Sequence, residues 1–68
     1  MSRFAGVKYK VVERIMLNNG WRKIRKRGSH ETWAKESERI TIANRTDGVN
    51  NMILRREFKI HNIWPIPR

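Results

Sequence analysis

Apolar residues recur at helical spacing from Val7 onward. Val7, Val11 and Ile15 form one set and Val12 and Met16 a second, which predicts an amphipathic helix. The six residues before it, MSRFAG, show no period. Asn18-Asn19-Gly20 closes the helix, because Gly20 suits the left-handed position after a helix end and Trp21 can supply the apolar contact that follows it. Beyond Gly20 the spacing changes to a strand-like two. Short strands are expected near 21–27, 30–36 and 39–43, with Gly28-Ser29 as a two-residue hairpin loop. That loop sets Arg27 opposite His30, Lys26 opposite Glu31, Arg25 opposite Thr32 and Ile24 opposite Trp33. A second loop at Ser37-Glu38 would pair Glu36 with Arg39, Ala34 with Thr41 and Trp33 with Ile42. Ile24, Trp33 and Ile42 then form one apolar row, extended by Ile40.

After Ala43 the stretch NRTDG reads as a loop. A second helix should begin between Asp47 and Asn51, either of which can cap it. Ile53, Leu54, Phe58 and Ile60 are expected to face inward, and Glu57 interrupts that apolar arc. The helix should end near Asn62, which tolerates the left-handed cap, and the tail WPIPR cannot prolong it. The expected fold is α+β in the order α-β-β-β-α. Its three-stranded antiparallel sheet carries both helices on one face. Strand alternation puts Lys23, Arg25, Arg27, His30, Thr32, Ala34, Arg39, Thr41 and Ala43 on the other face, a shallow surface of small side chains bordered by positive ones.

Composition narrows the chemistry. Sixty-eight residues make one small domain, and a chain of this size buries only about 60% of its unfolded surface. There is no cysteine, so disulfides, thiolate metal sites and a cysteine nucleophile are all excluded. Two histidines and six scattered carboxylates suggest no metal site and no cofactor. The core must hold by packing, with Trp21, Trp33, Trp64, Phe4 and Phe58 as the large apolar side chains. A formal net charge of +10 points to a polyanionic partner, nucleic acid or an acidic protein surface. No apolar run approaches the roughly 18 residues of a membrane span, and no broad apolar helix face suits a bilayer surface. With no signal peptide read at its start, the protein is expected in the cytoplasm.

Several residues together carry a family resemblance: Gly20-Trp21, Arg25, the triplet Gly28-Ser29-His30, Trp33, the strand RITIA at 39–43, and ILRREFK at 53–59 followed by Asn62-Ile63. In these the chain resembles the HicA family of toxins over roughly residues 8 to 63, with a short leader and a Pro-containing tail outside. The resemblance implies the double-stranded-RNA-binding-domain fold. It also implies a type II toxin-antitoxin toxin that cleaves messenger RNA, and a HicB-type antitoxin as partner. The family's catalytic histidine is the one in GSH, so that role falls on His30.

The residues themselves suit such chemistry. RNA supplies its own nucleophile, the 2′-hydroxyl. Cleavage without metal needs a base, an acid and positive charge at the phosphate. Histidine titrates near neutrality and serves either proton-transfer role. Arg27 can donate paired hydrogen bonds to a phosphate, while Lys23, Arg25 and Arg39 are candidates for neighbouring phosphates. Trp21 and Trp33 are expected in the core. Trp64 either packs back on the domain or meets a partner. His61 is expected to favour the negative end of the second helix. Glu31 directly after His30, and Glu57 in the closing helix, depart from the family pattern. They motivate an alternative, a catalytically inactive nucleic-acid-binding module of the same fold. A third reading is a basic adaptor that binds only protein.

Overall fold

The computed structural model describes residues 6–45 and 48–66. Helix α1 runs Tyr9–Asn18, strands β1, β2 and β3 run Arg22–Arg27, His30–Lys35 and Glu38–Ala43, and helix α2 runs Asn51–Ile60. The α-β-β-β-α order is as expected, with an antiparallel sheet in the order β1-β2-β3. One core joins both helices to one face of the sheet. Val12, Ile15 and Met16 from α1 meet Trp33, Ile40 and Ile42 from the sheet and Leu54 and Phe58 from α2. Trp21 and Trp33 are each 1% exposed.

Both helices close in the same way. In α1 the Trp21 N–H donates to the Met16 carbonyl and the Gly20 N–H to that of Leu17, with Gly20 at φ +88°. In α2 the Ile63 N–H donates to the Phe58 carbonyl and the Asn62 N–H to that of Lys59, with Asn62 at φ +58°. These are Schellman closures, and a left-handed residue is what allows the chain to turn back on the last carbonyls. At its start α2 is capped by Asn50, whose Oδ1 accepts the Ile53 N–H at 3.1 Å. The other suggested cap, Asp47, lies outside the described residues. The leader MSRFAG lies outside them too, save for Gly6, as does Phe4.

Three details of packing differ from the sequence expectation. Val7 precedes the helix and instead bridges Val49, each N–H bonded to the other's carbonyl at 3.0 and 2.9 Å. Val11 is left exposed, and the buried stripe of α1 is Val12, Ile15 and Met16. In α2 only Leu54 and Phe58 are buried, while Ile53 and Ile60 face solvent, because ten residues against a small sheet present a narrow stripe. Residues 64–66 fold back. Asn19 Nδ2 donates to the Trp64 carbonyl at 2.7 Å and Ile66 packs on the core, although the Trp64 ring stays largely exposed.

The first hairpin begins in the expected register, with Arg27 opposite His30, Lys26 opposite Glu31 and Arg25 opposite Thr32. A bulge then intervenes between Lys23 and Arg25. Lys23 faces Trp33, and Arg22 faces Ala34. Ile24 therefore leaves the predicted apolar row and is half exposed. The second turn uses Glu36-Ser37 rather than Ser37-Glu38, so that Lys35 faces Glu38 and Trp33 faces Ile40. Glu36 adopts φ +56°, a conformation that its side chain does not advertise. This slip displaces β3 by two residues along its partner. Parity is kept, so Ile40 and Ile42 still face the core.

Candidate active site

The bulge decides which basic residues share a face with His30. Arg27, opposite it, and Arg25, opposite Thr32, lie with His30 on the side away from the helices, and all three are exposed. Arg22 joins them opposite Ala34. Alternation along an unbroken strand had placed Lys23 there. This is corrected, because the extra residue of the bulge turns Lys23 to the helix side. Its Nζ lies 2.9 Å from Tyr9 Oη, 3.7 Å from Glu31 Oε2 and 3.9 Å from Glu13 Oε2. It also lies 5.8 Å from the centre of the Trp33 ring. Arg39 is exposed on the open face opposite Ala34. It sits four residues, roughly 13 Å, along β3 from Ala43, the partner of His30, and its Nη1 donates to the carbonyls of Glu36 and Glu38.

Glu31, the residue beside His30, points the opposite way and is 1% exposed. Its Oε1 accepts the Tyr9 hydroxyl at 2.6 Å, and Lys23 supplies the compensating charge. Burial, and then the hydrogen bond to Glu31, push the Tyr9 hydroxyl above its ordinary value of 10.0. The hydrogen bond to Tyr9 lifts Lys23 above 10.5, helped by the Glu31 charge and opposed by desolvation. Glu31 thus belongs to a Lys23–Tyr9–Glu31 relay inside the fold and is remote in orientation from any phosphate near His30. The relay was not foreseen from sequence. It follows from the bulge, which carries no sequence signal beyond a basic run.

His30 is held at the tip of the first hairpin. There the Asn44 N–H donates to the Ser29 carbonyl at 2.6 Å and ties the segment after β3 to the loop before His30. Just beyond, Arg45 bridges Gly48, whose N–H donates to the Arg45 carbonyl at 3.0 Å. A Cβ at Gly48 would stand 2.9 Å from the Val7 carbonyl oxygen, so this position requires glycine. Between β3 and α2 a cleft of about 170 Å³ opens beside His30, and Arg45, Asn50 and Glu57 also contribute to its lining. His61 is not among the residues lining this cleft. Its Nδ1 lies 2.5 Å from Glu38 Oε1 and its Nε2 lies 3.5 Å from Glu57 Oε1, while its ring meets Trp21 edge-on. It links the end of α2 to the start of β3.

Among the described residues no group of three or more His, Cys, Asp or Glu side chains is placed to hold a metal ion, and no helix is long and apolar enough to cross a membrane. The fold and site define a small α+β protein that presents a histidine among arginines on an open sheet face. Residues 9–56 match the family model described as the HicA toxin of bacterial toxin-antitoxin systems. The chain belongs to the HicA toxin family. No curated protein and no solved structure matches it. The match spans α1, all three strands and the first half of α2; Glu57, His61 and the tail lie beyond it.

Proposed function

We propose that the protein is a metal-independent endoribonuclease that cleaves messenger RNA through His30. In this reading it is a cytoplasmic toxin held in check by a HicB-type antitoxin. The observation that supports this most is the cross-strand pair of His30 with Arg27. It sets a proton-transfer group directly beside a bidentate phosphate donor on an exposed face. His30 takes the proton of the 2′-hydroxyl, whose oxygen attacks the adjacent phosphorus. The bond from phosphorus to the 5′-oxygen breaks, and that oxygen collects a proton from water or from a returning imidazolium. The products are a 2′,3′-cyclic phosphate and a free 5′-hydroxyl. Arg27 offsets the charge that builds on the phosphate oxygens, with Arg25 and Arg22 on the flanking backbone.

Glu31 no longer counts against activity, because its carboxylate is committed to Tyr9 and Lys23. The antitoxin would meet the same arginine-rich face, where an acidic surface both complements the charge and covers His30. The test is digestion of a long RNA in excess chelator by the wild-type protein and by His30→Ala. Cleavage by the wild type, reduced about 10²–10⁴-fold or more in the variant, is expected. Equal cleavage by both would remove His30 from the mechanism. Binding by both with cleavage by neither would leave a nucleic-acid-binding module.

A further inference from the structure

The cleft beside His30 has features that phosphate chemistry does not use. Its lining includes the apolar side chains of Ile42, Val49, Ile53 and Leu54, and Glu57 contributes a carboxylate. A space of about 150 Å³ accommodates a single six-membered ring, so about 170 Å³ suits one pyrimidine base and little more. Glu57 is not needed to seat α2, whose buried residues are Leu54 and Phe58. Its side-chain contact with His61 Nε2 stands at 3.5 Å, too long for a good hydrogen bond. The carboxylate therefore keeps acceptor capacity where it borders the cleft.

We propose that this cleft is a pyrimidine subsite that prefers cytosine to uracil. It deepens, and rests on, the reading of the open face as an RNA-cleaving site. An ionised carboxylate only accepts hydrogen bonds. Cytosine offers its N4 amino group at the edge of the ring, whereas uracil's one donor on that edge, N3–H, lies between the carbonyl oxygens O4 and O2, which a carboxylate repels. The phosphate of the same nucleotide then falls near His30, which borders the cleft, with Arg45 at its edge. Apolar walls hold the ring by contact with its faces, as in other single-strand readers.

The closing experiment compares binding of fluorescent hexamers of deoxycytidine and deoxyuridine to the wild-type protein. These strands lack the 2′-hydroxyl and survive intact whether or not the protein is a ribonuclease. Fivefold or greater preference for the cytosine strand is expected, on the order of one good base-edge contact. Glu57→Gln, whose amide both donates and accepts, should bring the two affinities within about twofold. Equal binding of both strands by the wild type would overturn the subsite, as would a preference unchanged in the variant. As a measurement that needs no variant, titration with cytidine 5′-monophosphate should shift the amide resonances of Thr41, Ile53 and Glu57. Shifts confined to α1 would overturn the proposal. A cytosine preference without any cleavage of RNA would support the subsite while refuting the ribonuclease reading. His30-dependent cleavage without a base preference would do the reverse.

Discussion

His30 and Glu31 are neighbours in the chain and opposites in the fold. One stands exposed opposite an arginine. The other is 1% exposed beneath a tyrosine and a lysine. The same contrast runs across the whole sheet. The helix-side face holds Trp33, Ile40 and Ile42 in the core, and its one buried charge is hydrogen-bonded and paired, as burial demands. The open face keeps Arg22, Arg25 and Arg27 unburied beside small side chains such as Thr32, Thr41 and Ala43. A single sheet can therefore spend one face on stability and leave the other for a charged ligand. The lesson is that residue type alone does not assign a role. Lys23 and Arg25 come from the same basic run, yet one neutralises a buried carboxylate and the other faces solvent.

The largest expected effect tests this division directly. Trp33→Ala should cost about 3–5 kcal/mol, comparable with the total stability of roughly 3–10 kcal/mol for a chain of this size. Its cooperative thermal transition should weaken severely or vanish. Thr41→Ala on the open face should change stability by no more than about 0.5 kcal/mol. Similar melting of the two variants would break the two-face description.

An intermediate effect is expected inside the relay. Tyr9→Phe removes the hydroxyl from Glu31 and should cost about 1–3 kcal/mol, read as a lower denaturation midpoint. The pH dependence has a definite sign. Tyr9 and Lys23 both have folded values raised above 10.0 and 10.5. Their contribution is therefore complete below about pH 10 and is lost as pH rises through the folded values. Wild-type stability should fall in that alkaline range, and Tyr9→Phe should fall less steeply there. A variant as steep as the wild type would detach the relay from the alkaline loss.

The smallest effect separates the two kinds of basic residue. Arg27→Ala should reduce the salt slope of single-stranded RNA binding by about 0.7, the share of one phosphate contact. Lys23→Ala should leave that slope unchanged while lowering stability. A reduced slope in the lysine variant would mean that Lys23 reaches RNA from the helix side.

Much of this arrangement is written locally. Gly28-Ser29 specifies the first hairpin, and with it the pairing of Arg27 with His30, because a two-residue loop leaves no freedom of register. Asn19-Gly20 and Asn62 mark the helix ends through their tolerance of left-handed backbone. The family resemblance was likewise readable, in residues 20–33 together with 39–43, 53–59 and Asn62-Ile63, and was borne out by the family match over residues 9–56. The bulge at Ile24 was not legible, since RKIRKR reads equally well as a regular strand. Nor was the turn at Glu36-Ser37, where a glutamate takes a conformation usually left to glycine or asparagine. Glu57 looked like a flaw in a helical stripe until the cleft gave it a surface to border.

The sequence by itself determined the order of elements, the apolar core residues Trp21, Trp33, Leu54 and Phe58, and the place of His30 beside Arg27. These follow from periodicity and turn chemistry, which act over a few residues. Only the tertiary structure decided that Lys23 crosses to the helix side, that Glu31 is buried and satisfied, and that β3 and α2 enclose a cleft next to His30. Those outcomes depend on how strands slip and helices settle to bury their apolar stripes together. No single segment contains the energy difference that chooses among the alternatives.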